Sequence, residues 1–162
     1  MMLSRHPGNW IIIWSFVIAF LLTIIPLPEG VDYFRPDWLC LVLVYWCMAL
    51  PQRVGIGIGW LAGLCLDAAR GTVLGQHALG LAIVAFLTRK THRRIRVFPL
   101  WQQSLGILFF LLVNQVLMSW INGMLGYPSQ DFWYLAPVLG SILLWPGVFI
   151  ILRDLRRHFR IA

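Results

Sequence analysis

Arg-Lys-Thr-His-Arg-Arg-Ile-Arg, residues 89–96, carries five of the chain's thirteen basic residues and directly follows a long apolar run. Between this cluster and the next, residues 101–152 are long enough for two membrane-spanning helices and almost free of charge. Because two crossings return a chain to its starting side, both clusters are predicted to lie on the same side of a membrane. This is the Arg/Lys distribution of cytoplasmic segments. The second cluster comprises Arg153, Arg156, Arg157 and Arg160.

The composition also indicates a membrane protein. Of 162 residues, 60% are hydrophobic and only 12% are charged, which is more apolar surface than a small soluble core can bury. The net charge of +7 does not favour nucleic-acid binding, because the basic residues border apolar runs and form no stripe with exposed aromatics. Anionic lipid headgroups are the expected partners of the membrane-surface residues Arg89, Lys90, Arg93, Arg94 and Arg96.

The apolar segments predict an all-α, polytopic integral membrane protein with six transmembrane helices in a single domain, residues 1–162. A cleaved signal peptide is the competing interpretation of the first segment, but no small-residue cleavage site follows it, so we expect a retained helix. The predicted spans are approximately residues 10–27, 37–51, 54–69, 73–88, 101–121 and 133–152.

The second segment is the shortest of the six. Trp38–Leu50 is apolar for only 13 residues, about 20 Å of a hydrocarbon core of about 30 Å, so it is either a short span extended by its flanks or a buried partial span. Charge does not choose between five and six spans, because each arrangement leaves only two basic residues on the outer side. The acidic loop and the flanking prolines favour six spans with both termini in the cytoplasm.

A ladder of small residues marks the third segment. Gly55, Gly59, Gly63 and Asp67 are spaced four apart, so they share one helix face, and Gly71 continues the spacing. Such a face allows another helix to approach closely in lipid. Packing within this chain is the favoured interpretation, and contact with a transmembrane helix of another subunit is the alternative. The same residues, with Arg70, are the candidates for a partner interface.

Asp67 requires a partner, since a carboxylate at this depth is costly unless it is paired. Arg70 lies three residues later, so the spacing favours a local ion pair between Asp67 and Arg70. A functional couple of Asp67 with His77 is a lesser alternative. Asn114 and Gln115, in the middle of the fifth segment, are expected to hydrogen-bond to other helices.

No catalytic, cofactor or metal site is predicted. The sequence contains no HExxH, GxSxG or glycine-rich phosphate loop. Three cysteines lie in apolar segments and are interpreted as small core residues rather than as disulfides or zinc ligands: Cys40, Cys47 and Cys65.

An ordered set of short motifs resembles the MreD family of rod shape-determining membrane proteins, in its proteobacterial form. Arg35-Pro36-Asp37-Trp38 and Ala49-Leu50-Pro51-Gln52-Arg53-Val54 resemble the flanks of the family's second span. Gly57-x-Gly59-Trp60-x-x-Gly63-x-x-x-Asp67 resembles its central signature. Trp101-Gln102-Gln103 and Leu144-Trp145-Pro146 match later positions, so the resemblance covers nearly the whole chain.

The resemblance implies a non-enzymatic scaffold in the bacterial inner membrane that supports lateral peptidoglycan synthesis and regulates cell shape. It implies MreC, a single-span protein with a large periplasmic domain, as the main partner. Further partners would be MreB, RodA and the elongation-specific penicillin-binding protein. It also implies a fold similar to the substrate-binding subunits of energy-coupling-factor transporters, without catalytic residues or cofactors.

A transporter subunit that binds a small molecule is the alternative function. It requires a cavity open to the periplasm on which polar residues such as Asp67, His77 and Asn114 converge. The glycine ladder suits either function, since both need a close helix contact.

Overall fold

The structure, a computed structural model, describes residues 8–128 and 131–161. Within this part of the chain all regular structure is helical, so the all-α prediction is confirmed there. Two short 3₁₀ turns, Asp32–Phe34 and Phe132–Leu135, precede the second and sixth helices. The α-helices are α1 (Asn9–Ile24), α2 (Trp38–Ala49), α3 (Ile56–Arg70), α4 (Gln76–Ile95), α5 (Leu100–Met124) and α6 (Ala136–His158).

Two helices run well beyond their predicted apolar segments. α4 continues past residue 88 through most of the basic cluster, and α6 continues past residue 152 through most of the tail. Arg and Lys are good helix formers, and cations are stabilised by the negative end of a helix dipole. The end of an apolar segment therefore predicts where the helix becomes exposed to water. It does not predict where the helix ends, which is several residues later in α4 and α6.

Consecutive helices alternate in direction between two ends of the bundle. At one end, Arg53 and Asn9 line one cavity, while Arg96 and Arg156 line another, and we call this the basic end. At the opposite end, the Gln76 side chain bonds to Asn122 and the Asp37 backbone bonds to Ser141. Both basic clusters thus lie together, as their spacing predicted. Arg5, also predicted to lie on that side, is outside the described residues.

α2 is the central helix of the bundle. Every residue from Leu39 to Met48 is buried, and the helix packs against α1, α4 and α6. The Trp46 indole donates a hydrogen bond of 2.8 Å to Ser15 Oγ on α1, and the Tyr45 ring lies 5.7 Å from that of Phe149 on α6. The short second segment is therefore enclosed by its neighbours, although it still runs from one end of the bundle to the other.

The outer helices carry the exposed apolar surface. α5 and the stretch Phe132–His158 that contains α6 are long and apolar enough to cross a membrane, and α1 is apolar but has only 16 residues. In each of these two helical stretches, only 28% of the most apolar 18 residues are buried. An apolar exterior of this extent is suited to contact with lipid or with other membrane proteins. Its largest exposed side chains include Trp101, Phe109, Trp120, Leu139, Leu143 and Ile151.

Arg35 hydrogen-bonds to the carboxyl-terminal end of α1. Its guanidinium donates to the Thr23 carbonyl at 2.7 Å and to the Ile25 carbonyl, and it forms an ion pair of 2.9 Å with Asp32. The last carbonyls of a helix have no partner within the helix and carry partial negative charge. Arg35 therefore supplies the missing donors and joins α1 to the segment that leads into α2.

Candidate functional site

The glycine ladder of α3 packs against α4 of the same chain. A Cβ atom added at Gly59 would lie 2.9 Å from the Leu81 carbonyl oxygen, and one at Gly63 would overlap the backbone of Ala78. The two backbones are therefore in direct contact, as small residues in register permit. Gly57 lies on the other side of α3, where an added Cβ meets no atom within 4 Å.

The remaining candidate residues of α3 also contact α4. Gly55 lies against the Arg89 side chain, and Arg70 Nη1 lies 3.4 Å from His77 Nε2. Asp67 is fully buried and bonds to the start of α4. All five candidates predicted on α3 thus lie beside α4, and their contact with a partner protein stays a prediction.

Asp67 closes the amino-terminal end of α4. Its Oδ1 accepts hydrogen bonds of 2.9 Å from Thr72 Oγ1 and from the His77 amide. Its Oδ2 accepts from the amides of Gly75, at 2.9 Å, and Ala78, at 3.4 Å. The first amides of a helix lack intrahelical acceptors and carry partial positive charge, so a carboxylate there stabilises the helix start. Asp67 therefore acts as an N-cap supplied by the preceding helix.

His77 lies between Asp67 and Arg70. Its Nδ1 is 2.6 Å from Asp67 Oδ1, and since a carboxylate only accepts, Nδ1 carries the proton. Nε2 then accepts from Arg70. The direct ion pair favoured by the i,i+3 spacing of Asp67 and Arg70 is thus not the arrangement found. The left-handed backbone at Gly71 and Gly75 turns the chain back, which places His77 beside the carboxylate.

A second polar cluster joins α2, α5 and α6 near the same end. The Asp37 amide donates to Ser141 Oγ at 2.9 Å, and its carboxylate accepts from the Cys40 amide at 3.3 Å and from Asn114 Nδ2 at 3.4 Å. Asp37 stands at the start of the predicted second span, residues 37–51, and no role was predicted for its side chain. An Asp directly before an apolar helix is a known N-cap signal and would have indicated part of its role.

The two polar side chains in the middle of α5 bond to other segments, as expected. Asn114 reaches Asp37, and Gln115 Nε2 donates to the Tyr134 carbonyl at 2.7 Å. An added Cβ at Gly80 of α4 would overlap Asn114 Oδ1, so α4 and α5 also approach closely at this level. These contacts cross-link the helices and do not gather around an open site.

Two cavities lie at the basic end, away from Asp67, His77 and Asn114. The larger has a volume of about 440 Å³ and the other about 410 Å³. Of the membrane-surface residues, Arg96 lines the larger cavity. The other four are exposed and line neither cavity: Arg89, Lys90, Arg93 and Arg94.

The cysteines occupy two different environments. Cys40 and Cys47 are fully buried in α2, whereas Cys65 is exposed on α3. Among residues 8–128 and 131–161, no three His, Cys, Asp or Glu side chains form a group able to hold a metal ion.

Comparison with known proteins places the chain in a family. Residues 4–155 match the family of rod shape-determining protein MreD. The chain is 37% identical to the rod shape-determining protein MreD of Haemophilus influenzae strain Rd over 164 aligned positions, which cover 99% of each chain. No solved structure gives a significant match. The chain therefore belongs to the MreD family of rod shape-determining membrane proteins and has a role in cell shape.

Proposed function

We propose that this chain is a non-enzymatic scaffold of the cell-elongation complex in the bacterial inner membrane, where it binds MreC and supports lateral peptidoglycan synthesis. MreB, RodA and the elongation-specific penicillin-binding protein are further proposed partners. The observation that carries the proposal is the family match over residues 4–155, nearly the whole chain. Within residues 8–128 and 131–161, the helices are joined by connections of at most 13 residues, so the surfaces that this part of the chain offers to partners are chiefly helix faces.

The proposed topology has all six helices crossing the membrane, with the basic end and both termini in the cytoplasm. It is supported by the alternating helix directions and by the concentration of arginine at one end. Reporter fusions test it: alkaline phosphatase should be active when fused in the connection after α1 and inactive when fused after α4. The expected likeness to substrate-binding subunits of energy-coupling-factor transporters stays a prediction.

The hydrogen bonds of the Asp67 and Asp37 carboxylates support a structural role. Both oxygens of Asp67 accept hydrogen bonds from the α3–α4 connection and the start of α4. Asp37 holds the start of α2 and contacts Asn114. A carboxylate engaged in this way by its own chain stabilises the helix arrangement, which is what a scaffold requires.

We infer that a partner helix would contact α3 on the side away from the glycine ladder. Because α4 occupies Gly59 and Gly63, a partner helix that contacts α3 must use its other side, where Gly57 and Leu61 are exposed. Gly63→Leu is therefore expected to disturb assembly by separating α3 from α4. Gly57→Leu is expected to disturb assembly by blocking the contact between α3 and a partner helix.

Affinity purification of the tagged full chain from gently solubilised native membranes tests the proposed function. Near-stoichiometric recovery of a single-span protein with a large periplasmic domain, together with wall polymerases, is the expected result. As a control, tagged and untagged membranes carrying distinguishable partners are mixed before solubilisation, which excludes association in detergent. Recovery of paired ATPases and a large transmembrane coupling subunit would contradict the scaffold and indicate a transporter's binding subunit.

A further inference from the structure

The larger cavity at the basic end has walls of two kinds. It is formed where the connection after α2 meets the carboxyl ends of α4 and α6, and its volume is about 440 Å³. One part of the wall is apolar and the other is basic or amide-bearing. The apolar residues are Ala49, Leu50, Pro51 and Ile161, and the polar ones are Gln52, His92, Arg96 and Arg156.

The positive charge of this cavity is not balanced by nearby side chains. Among residues 8–128 and 131–161, neither Arg96 nor Arg156 forms an ion pair. Of the six acidic residues in the sequence, only Asp154 belongs to a segment at the basic end, and it lies 3.4 Å from Arg153 Nε. Within these described residues, the Arg96 and Arg156 guanidinium groups are therefore available to a bound anion.

Helix dipoles account for only part of this arrangement. α2, α4 and α6 all end beside the cavity, and the partial negative charge at each carboxyl end favours a nearby cation. That effect needs neither a cavity nor an apolar wall. His92 Nδ1 lies 2.5 Å from the Arg89 carbonyl oxygen, which accepts a hydrogen bond from Nδ1–H, so Nε2 is the ring nitrogen left for a ligand.

We propose that this cavity binds the phosphate of an anionic phospholipid, with Arg96 and Arg156 contacting the phosphate. The apolar wall, including Leu50 and Ile161, then contacts the glycerol and the first acyl carbons. The volume lies in the range of small-molecule pockets, roughly 300–1,000 Å³, and exceeds what a free phosphate ion fills. The choice of a lipid rests on the proposed topology, in which this end meets the cytoplasmic leaflet, where basic pockets between helices bind headgroups.

Native mass spectrometry of the purified full chain in detergent, titrated with phosphatidylglycerol, measures this binding. One phosphatidylglycerol should bind more tightly than any further copy and more tightly than phosphatidylcholine. The double variant Arg96→Gln/Arg156→Gln should weaken that first binding about 25-fold, since each basic residue near an anionic headgroup contributes a factor of about five. Arg96→Lys/Arg156→Lys, which keeps the charge, should retain most of the affinity.

Arg157→Gln/Arg160→Gln is the matched control, because it removes the same charge from exposed residues of the carboxyl-terminal segment that do not line the cavity. It should change the first binding less than about twofold, as expected for screened charges at a distance. Equal losses in the two double variants would overturn the proposal, as would equal binding of phosphatidylcholine. Displacement of phosphatidylglycerol by millimolar inorganic phosphate would show that free phosphate is the ligand, and would overturn the proposal of a lipid.

Two further readouts separate this site from other effects. Unfolding midpoints of all variants, measured without added lipid, should match the wild-type value, which excludes a general loss of fold. Partner recovery in the affinity purification should be unchanged in Arg96→Gln/Arg156→Gln. A variant that loses the lipid and keeps the partner supports the lipid site independently of the scaffold. If Arg96→Gln/Arg156→Gln instead loses both its fold and its partner, the cavity is not a separate lipid site.

Discussion

The α3–α4 and α5–α6 hairpins each join two antiparallel helices of one bundle, but different forces hold them together. α3 and α4 share the most extensive contact of any helix pair, built on Gly59 and Gly63 and closed by Asp67 at the connection. The contact between α5 and α6 is less extensive. In this hairpin Gln115 of α5 donates a hydrogen bond to the Tyr134 carbonyl, which lies just before α6.

The difference shows that glycine content alone does not predict close packing. α6 also contains two glycines, but Gly147 has open space around it and Gly140 faces the Phe34 carbonyl rather than α5. In α3 the four-residue spacing keeps the small residues on one face, so the whole helix can approach its neighbour. The α5–α6 hairpin instead leaves apolar surface exposed on both helices.

Gly63→Leu should have the largest effect. The first added carbon already overlaps the Ala78 backbone, so α3 and α4 must separate. Overpacking against a side chain costs about 1–3 kcal/mol, and against a backbone we expect more than about 3 kcal/mol of unfolding free energy. Denaturant titration of the purified protein in detergent, followed by size-exclusion profiles, measures the loss.

Gly57→Leu is the matched control for Gly63→Leu, since both change a glycine of α3 to leucine. No atom lies within 4 Å of an added Cβ at Gly57, so stability should stay at or above the wild-type value. Equal destabilisation by the two variants would show that α3 does not pack on α4 through its ladder. A stable Gly57→Leu protein that loses its partner would place the partner on the outer side of α3.

Asp67→Asn should have an intermediate effect on the same hairpin. The amide nitrogen of asparagine would face backbone N–H groups, which leaves buried donors without an acceptor. We expect a loss of about 2 kcal/mol in unfolding free energy, the combined scale of a lost N-cap and an unsatisfied buried group. Asp131→Asn, at an exposed position ahead of α6, should change it by less than about 0.5 kcal/mol.

Gln115→Ala should have the smallest effect, because it removes a hydrogen bond across the looser hairpin. Hydrogen bonds between membrane helices contribute about 0.6 kcal/mol on average. Val116→Ala, at the neighbouring exposed position, serves as the reference for lost side-chain volume. A loss from Gln115→Ala as large as that from Asp67→Asn would contradict the proposed contrast between the hairpins.

The sequence predicts best what depends on local periodicity. The spacing of Gly59 and Gly63 placed them on one face, and the apolar runs predicted six helical segments, although α4 and α6 end well beyond the predicted bounds. The joint location of the two basic clusters also followed, because it depends only on the number of helices between them.

What depends on tertiary geometry was not predictable in the same way. Arg70 is the closest cation to Asp67 along the chain, but the left-handed glycines at 71 and 75 bring His77 to the carboxylate first. The basic cavity combines three segments that are far apart in sequence. No local pattern encodes such a combination, whereas the N-cap role of Asp37 was encoded and overlooked.

The enclosed position of α2 bears on how the protein is made. With 12 residues, about 18 Å of helix, α2 is too short to settle across a bilayer unaided, and α4 and α6, against which it packs, are synthesised later. Its final placement must therefore await the carboxyl-terminal half of the chain. Cys40 and Cys47 are buried in α2, whereas Cys65 is exposed. A membrane-permeant thiol reagent should therefore label only Cys65 in the finished protein, and should also label Cys40 and Cys47 in a chain that stops after α3 and lacks both α4 and α6.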